Sequence, residues 1–450
     1  MKILVFLDHD IIIRHFVHSN AFSELVKKHE IYYVLPKENK RVQMKISEMK
    51  LCSKHFYADI PPRRLFLWRT LNHVDKLRFK FGKQYRNLRR FSRRVHGMKV
   101  AFLYSVLGIP IVFSLFKRYT LNSLKKHPFS DLDYLLEKEM PDIVIHPTVM
   151  EGIYVNDLIM KLKSTNIPLI MIMNSWDNPS TKKSMIGNPD WLLVWGQQTK
   201  NHAIKFSKIN HERVKIFGAA QFDIHYSEKT ISRGDFQKTY GLPDDIQIIL
   251  YAGSSKMTSE IDHLISIDSF IEQNNLNIKV IYRPHPWGGG GKNGHNIIDM
   301  KWNHILIEKS MITYLRSLKA DHSKMSYPSY QDTHNTLSNV DGVISPLSTI
   351  IIESAIHGLP VICFLPEEGK DSIHFMGDLN LTHFDEIFNS KRVLVKNGLD
   401  EMLNSIPKLI ELPKENNFAK KQKQFSEFFV KRFNEPYPKR LNDFVDNLQK

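Results

Sequence analysis

The sequence predicts an α/β protein of two Rossmann-like, doubly wound domains facing each other across a cleft. Three observations predict it. At 450 residues the chain is too long for one ordinary core, so two domains are expected. Short apolar runs alternate with amphipathic helical stretches in both halves, the pattern of a mostly parallel sheet covered on both faces. Polar residues, glycines and prolines gather where those apolar runs end, which is where doubly wound sheets bind ligands.

The first domain is expected over 1–226, with strands at 2–7, 31–35, 143–146, 169–173, 191–195 and 214–217. Helical stretches fall at 14–28, 132–139, 155–163 and 200–206. A polar connection, 227–245, carries the turn Gly241-Leu242-Pro243-Asp244. The second domain, 246–420, brings strands at 246–252, 278–282, 342–344 and 360–364, and Gly358 stops the helix before the last of these. Residues 421–450 read as C-terminal amphipathic helix.

Composition excludes several classes. Hydrophobic residues at 42% argue against disorder. Cys52 and Cys363 stand far apart, and no His/Cys group has zinc spacing, so neither metal nor cofactor is expected. The start, MKILVFLDHD, reads as a buried strand rather than a signal peptide, and a reduced, cytoplasmic setting is expected.

Charge is concentrated in one place. Residues 62–127 hold 17 Lys and Arg against the single acid Asp75, which accounts for the whole formal charge of +16. Arg63, Arg64, Arg69, Arg78, Arg86, Arg89, Arg90, Arg93 and Arg94 interleave with Phe66, Trp68, Phe79, Phe81 and Phe91, and the apolar run 100–116 follows, interrupted by Gly108 and Pro110. That run is shorter than the roughly 20 residues a span needs. The pair suits peripheral attachment to an anionic membrane surface, or a helical insertion packed on the first domain. No nucleic-acid recognition fold frames it.

Three strand ends of the second half carry groups suited to a phosphate. Gly253 and Ser254 follow one strand. Arg283-Pro284-His285-Pro286 follows another, offering a forked cation and an imidazole at a stiffened exit. Ser345, Ser348 and Thr349 lead into a helix, either as an anion cradle or as a simple cap, with Glu353 one turn on, where it could take ribose hydroxyls. In the first half, Asn174, Trp176 and Asp177 follow a strand on the acceptor side. Glu151, in His146-Pro147-Thr148-Val149-Met150-Glu151-Gly152, is a candidate general base, with Asp8, His9 and Asp10 as rivals. Gly289-x-Gly291-x-x-Gly294 matches a dinucleotide fingerprint but is framed by no βαβ unit.

Arg283–Pro286, Ser345–Glu353 and His357-Gly358-Leu359-Pro360 together resemble the donor half of GT-B glycosyltransferases. The closest echo is the bacterial sialyltransferases and polysialyltransferases, with capsular and teichoic-acid polymerases similar. The resemblance implies that His285 and the Ser345–Thr349 element contact the donor phosphate. It also implies that Glu151-Gly152 stands where those families place their base, although Met150 replaces the first acid of their motif. The function so implied is transfer from a nucleotide-sugar, CMP-activated by preference, to a polysaccharide or lipid-linked acceptor at the inner membrane face. A CDP-polyol phosphotransferase, a nonhydrolysing UDP-sugar epimerase and a nucleotide-binding membrane scaffold are the alternatives.

Overall fold

The computed structural model describes residues 1–37, 55–78, 85, 97–148, 150, 152–182, 185–254, 259–286, 294–318, 327–366 and 380–448. The chain forms two units. The first comprises residues 1–223, 381–383 and 429–450, and the second 224–380 and 384–428. Helix Tyr437–Asn447 therefore belongs to the first unit, and Tyr437, Leu441 and Val445 sit in that unit's core.

The first unit is built on seven parallel strands: β1 (Lys2–Phe6), β2 (Glu30–Leu35), β3 (His55–Tyr57), β4 (Ile143–Thr148), β5 (Leu169–Met173), β6 (Trp191–Val194) and β7 (Val214–Ile216). Their order is β3-β2-β1-β4-β5-β6-β7. The second unit has six: β8 (Gln247–Ala252), β9 (Ile278–Arg283), β10 (Ile305–Ile307), β11 (Gly342–Ser345), β12 (Val361–Leu365) and β13 (Leu394–Asn397), ordered β10-β9-β8-β11-β12-β13. Every pairing is parallel, with Val5 opposite Ile145 and Leu250 opposite Val343 at the two centres. Strands β4, β5 and β12 are buried at every position because helices cover both faces, which is why they read as apolar runs and not as alternation.

In both sheets the order reverses once, between β1 and β4 and between β8 and β11. At such a point neighbouring crossovers leave in opposite directions, and the carboxyl edge of the sheet opens into a crevice. Three edge strands, β3, β10 and β13, escape a pattern reading. They are three or four residues long and only partly buried, so neither periodicity nor an apolar run marks them.

The basic segment has two faces. Residues 79–84 and 86–96, with Arg86, Arg89, Arg90, Arg93 and Arg94, lie outside the described residues. Helix Pro62–Arg78 packs Leu67, Trp68, Leu71 and Val74 against Phe113 and Leu124 of helix Pro110–Lys125. Arg64, grouped by sequence with the surface cations, is instead 1% exposed. Its Nε donates to Asp157 Oδ1 at 2.8 Å, its Nη2 pairs with the same carboxylate, and Nη1 donates to the carbonyls of Leu124 and His127, both at 2.6 Å. Trp68 Nε1 donates to the other oxygen of Asp157 at 3.0 Å. One guanidinium thus ties three helices together. Burial pushes the Asp157 carboxyl up against the pull of Arg64.

The apolar run 100–116 breaks at Gly108–Pro110 into helices Gly97–Leu107 and Pro110–Lys125, bent by 93°. No single helix among the described residues is long and apolar enough to cross a membrane. Removing one partner of a buried pair strands the other charge. Arg64→Ala should therefore lower the unfolding free energy by about 3–5 kcal/mol in urea titration, against less than about 1 kcal/mol for Arg63→Ala on the exposed face.

Candidate functional site

In the first unit, polar residues collect beyond the ends of β1, β4 and β5. Asp8, just past β1, is buried and accepts the amide of Ile153 at 3.0 Å. Gly152 lies against it so closely that a Cβ would collide with the carboxylate. His146, inside β4, directs Nε2 toward Asp8 at 3.8 Å and Nδ1 toward the Phe6 carbonyl at 3.2 Å. Burial pushes His146 down, with Asp8 opposing, so the ring stays neutral. Asp8 therefore clamps the start of the loop after β4 onto the sheet edge. That loop carries Glu151, which lies outside the described residues.

His9, the next rival, caps the short helix that follows β1. Its Nδ1 accepts the Ile11 amide at 3.2 Å and sits 2.7 Å from Asp10 Oδ1, while Asp10 itself is buried and accepts the same amide at 2.9 Å. The sequence proposes Asp8, His9 and Asp10 as bases. The structure uses His9 and Asp10 to build this turn and Asp8 to hold the loop after β4.

Asn174, at the end of β5, takes His15 Nδ1 on its Oδ1 at 2.7 Å, and burial with the neighbouring Arg14 pushes His15 down to about 3. Trp176 is buried edge-on against His383 at 4.9 Å and Phe429 at 5.5 Å between ring centres. Burial opposes ionisation of Asp177, but His383, Lys182 and the Thr181 hydroxyl at 2.9 Å outweigh it and lower its pKa. Burial in turn pushes His383 down to about 4 despite Asp177. Of these three residues, expected from sequence on the acceptor side, Trp176 is packing, and Asn174 and Asp177 keep polar atoms at the edge.

In the second unit, Gly253 and Ser254 follow β8 at the order reversal. The Ser254 amide donates to Glu260 Oε1 at 2.6 Å, and Tyr282 donates its hydroxyl to Glu260 Oε2 at 2.5 Å. Gly253 is needed because a Cβ would meet that same carboxylate. Across the reversal, after β11, Ser345 Oγ donates to the Pro346 carbonyl at 2.8 Å and lies 3.0 Å from Ser348 Oγ. Ser345 is buried, whereas Ser348 and Thr349 are half-exposed, and Thr349 makes no side-chain cap bond. The hydroxyls left at the surface are therefore those of Ser348 and Thr349.

Arg283 departs from expectation. Its fork is already closed: Nε donates to Glu308 Oε2 at 2.5 Å, Nη2 pairs with Oε1, and Nη1 donates to Thr333 at 3.3 Å. Thr336 completes the carboxylate at 2.8 Å. Burial pulls the guanidinium's pKa down, but Glu308 more than compensates and the charge is held. Arg283 thus anchors the β9 exit from inside, with its fork engaged by Glu308 and Thr333. His285 and Pro286 lie beyond it, half-buried, with Tyr314 donating its hydroxyl to the Pro286 carbonyl at 2.8 Å. Residues 287–293, with most of the glycine fingerprint, lie outside the described residues. Glu353 is largely buried and turns an oxygen to His225 Nε2 at 3.6 Å.

Glu260, Glu308 and Thr333 were missed by sequence reading. Each is remote from the strand end it serves, and no local motif marks a carboxylate that bonds 6 or 25 residues away.

No sequence-family profile matches the chain, and no curated protein matches it in sequence. Solved structures do match in shape. The S. aureus protein MnaA, in a structure with UDP, shares 10% identity at a TM-score of 0.53, covering all of this chain and 96% of its own. A UDP-GlcNAc 2-epimerase from Neisseria meningitidis, bound to UDP-GlcNAc, shares 12% identity at 0.53 with full coverage of both chains. The glycotransferase of kitacinnamycin shares 10% identity at 0.51, covering 99% and 98%. At these identities the likeness is one of fold, and the fold is the GT-B type expected.

Filling the space beside Glu260 should be costly. Gly253→Ala should lower unfolding free energy by about 1–3 kcal/mol. Gly234→Ala, in a helix with open space around it, should be neutral or stabilising by about 0.5–1 kcal/mol. Paired urea titrations of the two variants check this.

Proposed function

We propose that the chain is an enzyme acting on a nucleotide-activated sugar, with the nucleotide held by the second unit at the β8–β11 reversal. The observation that carries this is the end-to-end match of both units to structures holding UDP or UDP-GlcNAc. Those bound ligands favour a uridine nucleotide over the cytidine nucleotide of the sialyltransferase resemblance. On this reading Ser348, Thr349 and His285 meet the diphosphate, Gly253-Ser254 lines the crevice and Glu353 offers an oxygen to the ribose.

The reaction is glycosyl transfer. A base in the first unit takes the acceptor hydroxyl's proton, the oxygen attacks the anomeric carbon, and the bond to the departing diphosphate breaks. Glu151 is the base we assign, with Asp8 as the residue that positions its loop. Glu151→Gln should lower turnover by about 100-fold or more while leaving UDP affinity unchanged. Near-normal turnover in that variant would move the assignment to His9.

Epimerisation is the second reading, favoured by the epimerases among the structural neighbours. Incubation with UDP-GlcNAc alone separates the two. A transferase leaves the sugar unchanged until acceptor is added, an epimerase inverts it without acceptor, and a scaffold does neither. Absence of any thermal stabilisation by UDP would sink the nucleotide assignment itself.

What favours transfer at a membrane is the outer face of the bent helix pair. Met98, Phe102, Leu103, Ile109, Ile111, Leu115 and Tyr119 are all exposed there, Phe102 by 71% and Ile111 by 76%. Lys99, Arg118, Lys125 and Lys126 are exposed beside them. Leu107, in the same apolar run, packs inward against the insertion's own core. Each basic side chain near an anionic surface contributes about 1 kcal/mol, which salt screens, while apolar burial is not screened. The protein should sediment with anionic vesicles at low salt and partly resist release by high salt, and Phe102→Asp with Ile111→Asp should remove the resistant fraction. Equal recovery from neutral and anionic vesicles would exclude docking.

A further inference from the structure

Three histidines from distant parts of the sequence converge inside the second unit. His225 ends the turn Ala220–Tyr226, His334 lies on helix Tyr330–Leu337, and His357 caps helix Ile350–Ile356. One ring nitrogen of each lies within 4.8 Å of one from both others. His225 Nδ1 faces His357 Nε2 at 3.1 Å, although 132 residues separate them. We propose that His225, His334 and His357 form a binding site for a divalent transition metal of the zinc type.

The hydrogen bonds around the rings decide which nitrogens point inward. His334 Nε2 faces the Glu228 carbonyl at 3.3 Å and must carry the proton there, which leaves Nδ1 with its lone pair. That Nδ1 is buried and has no hydrogen-bond partner among the described residues. His357 Nδ1 faces Ser338 Oγ at 3.4 Å, leaving Nε2 to face His225. His225 turns its Nε2 to the Glu353 carboxylate at 3.6 Å, leaving Nδ1 inward. Each ring therefore has an oxygen behind one nitrogen and the other nitrogen directed at the cluster. This is the arrangement by which ligating histidines are held, the outer oxygen fixing tautomer and ring orientation.

Hydrogen bonding alone cannot serve three such lone pairs. One shared proton satisfies His225 and His357 and leaves His334 Nδ1 unserved. A cation serves all three. Zinc–nitrogen bonds of about 2.0–2.1 Å in a tetrahedron place nitrogens roughly 3.3–3.4 Å apart. The His225–His357 pair already stands near that separation, and small rotations bring in His334. His357 is the one of the three that is only partly buried. The site pins the turn at 225, the helix carrying His334 and the helix carrying Glu353. It lies behind Ser345–Thr349, and we assign it a structural role in which no reaction step passes through the ion. Local spacing hides it, so the proposal runs against the expectation of no metal drawn from sequence motifs.

The test uses the full chain, stripped with chelator and titrated with Zn²⁺ and with Co²⁺. One equivalent should bind, the Co²⁺ form should show the intense visible absorption of a tetrahedral nitrogen-ligated ion, and Zn²⁺ should raise the melting temperature over the chelated protein. His334→Ala and His357→Gln should each weaken binding by more than the roughly 10–100-fold expected for losing an outer partner, and Glu353→Gln should weaken it within that range. His304→Ala, a surface control paired with Glu272, should leave it unchanged. No uptake of either ion by the wild-type chain, or full affinity in folded His334→Ala and His357→Gln, would overturn the site. Should those variants fail to fold, the wild-type Co²⁺ spectrum and Zn²⁺ stabilisation decide the matter alone.

Discussion

Both sheets are parallel and helix-covered on both faces, so their strands have almost no place for a polar side chain. Parallel ladders satisfy the backbone internally, and the interior is filled by Ile, Val, Leu and Met. Polar chemistry is displaced to the carboxyl edge, and the single reversal of strand order in each unit marks where that edge opens. Asp8 and the loop after β4 stand at one reversal, and Gly253-Ser254 and Ser345–Thr349 stand at the other. The candidate site is thus a consequence of the topology before it is a consequence of any motif. The exceptions inside the sheet, His146 in β4 and Arg283 at the end of β9, are each answered by a carboxylate, Asp8 and Glu308.

The same logic divides the basic insertion. A long cationic, apolar stretch has two ways to hide its hydrophobic atoms, against the protein or against something else. Arg64, Trp68 and Asp157 commit the inner face to the protein, because a guanidinium with its hydrogen bonds met by one carboxylate and two carbonyls has no reason to leave. Once that face is fixed, helical geometry leaves Phe102, Ile111, Leu115 and Tyr119 pointing away from the insertion's core. The outer face is exposed because the inner one is anchored, so the packed reading of the sequence describes one side of the element and leaves the other apolar and open.

Much of this was legible in the sequence. Ten strands announce themselves as apolar runs, most of them ending in Gly, Pro or hydroxyl residues, and the observed bounds differ from expectation by a residue or two. The split of 100–116 at Gly108 and Pro110 is also written locally. What is not local was not legible. β3, β10 and β13 are defined by a neighbour's free edge and not by their own composition. Asp10–Val17 forms an α-turn followed by a π-turn, and the chain turns again before helix Ser23–Lys28, so the single helix expected over 14–28 is in fact two pieces. Arg283 looked like a phosphate ligand because a strand-end arginine is one when its fork is open. Only the fold brings Glu308 to close it.

Glu308 and the histidine cluster share a physical reason for invisibility. A buried charge or lone pair is tolerable only with a partner, and the partner is chosen by packing, which joins residues without regard to their order in the chain. Motif reading finds the residues that meet a ligand, since loops present them together. It misses the residues that hold those loops still, since they arrive from other elements. Glu260 beneath Gly253-Ser254 and Glu308 beneath the β9 exit are of this second kind, and so are the three histidines behind Glu353. The two carboxylates each hold a strand end from the inside by satisfying polar atoms that the apolar sheet cannot. The polar atoms at that edge are therefore held by carboxylates that motif reading does not find.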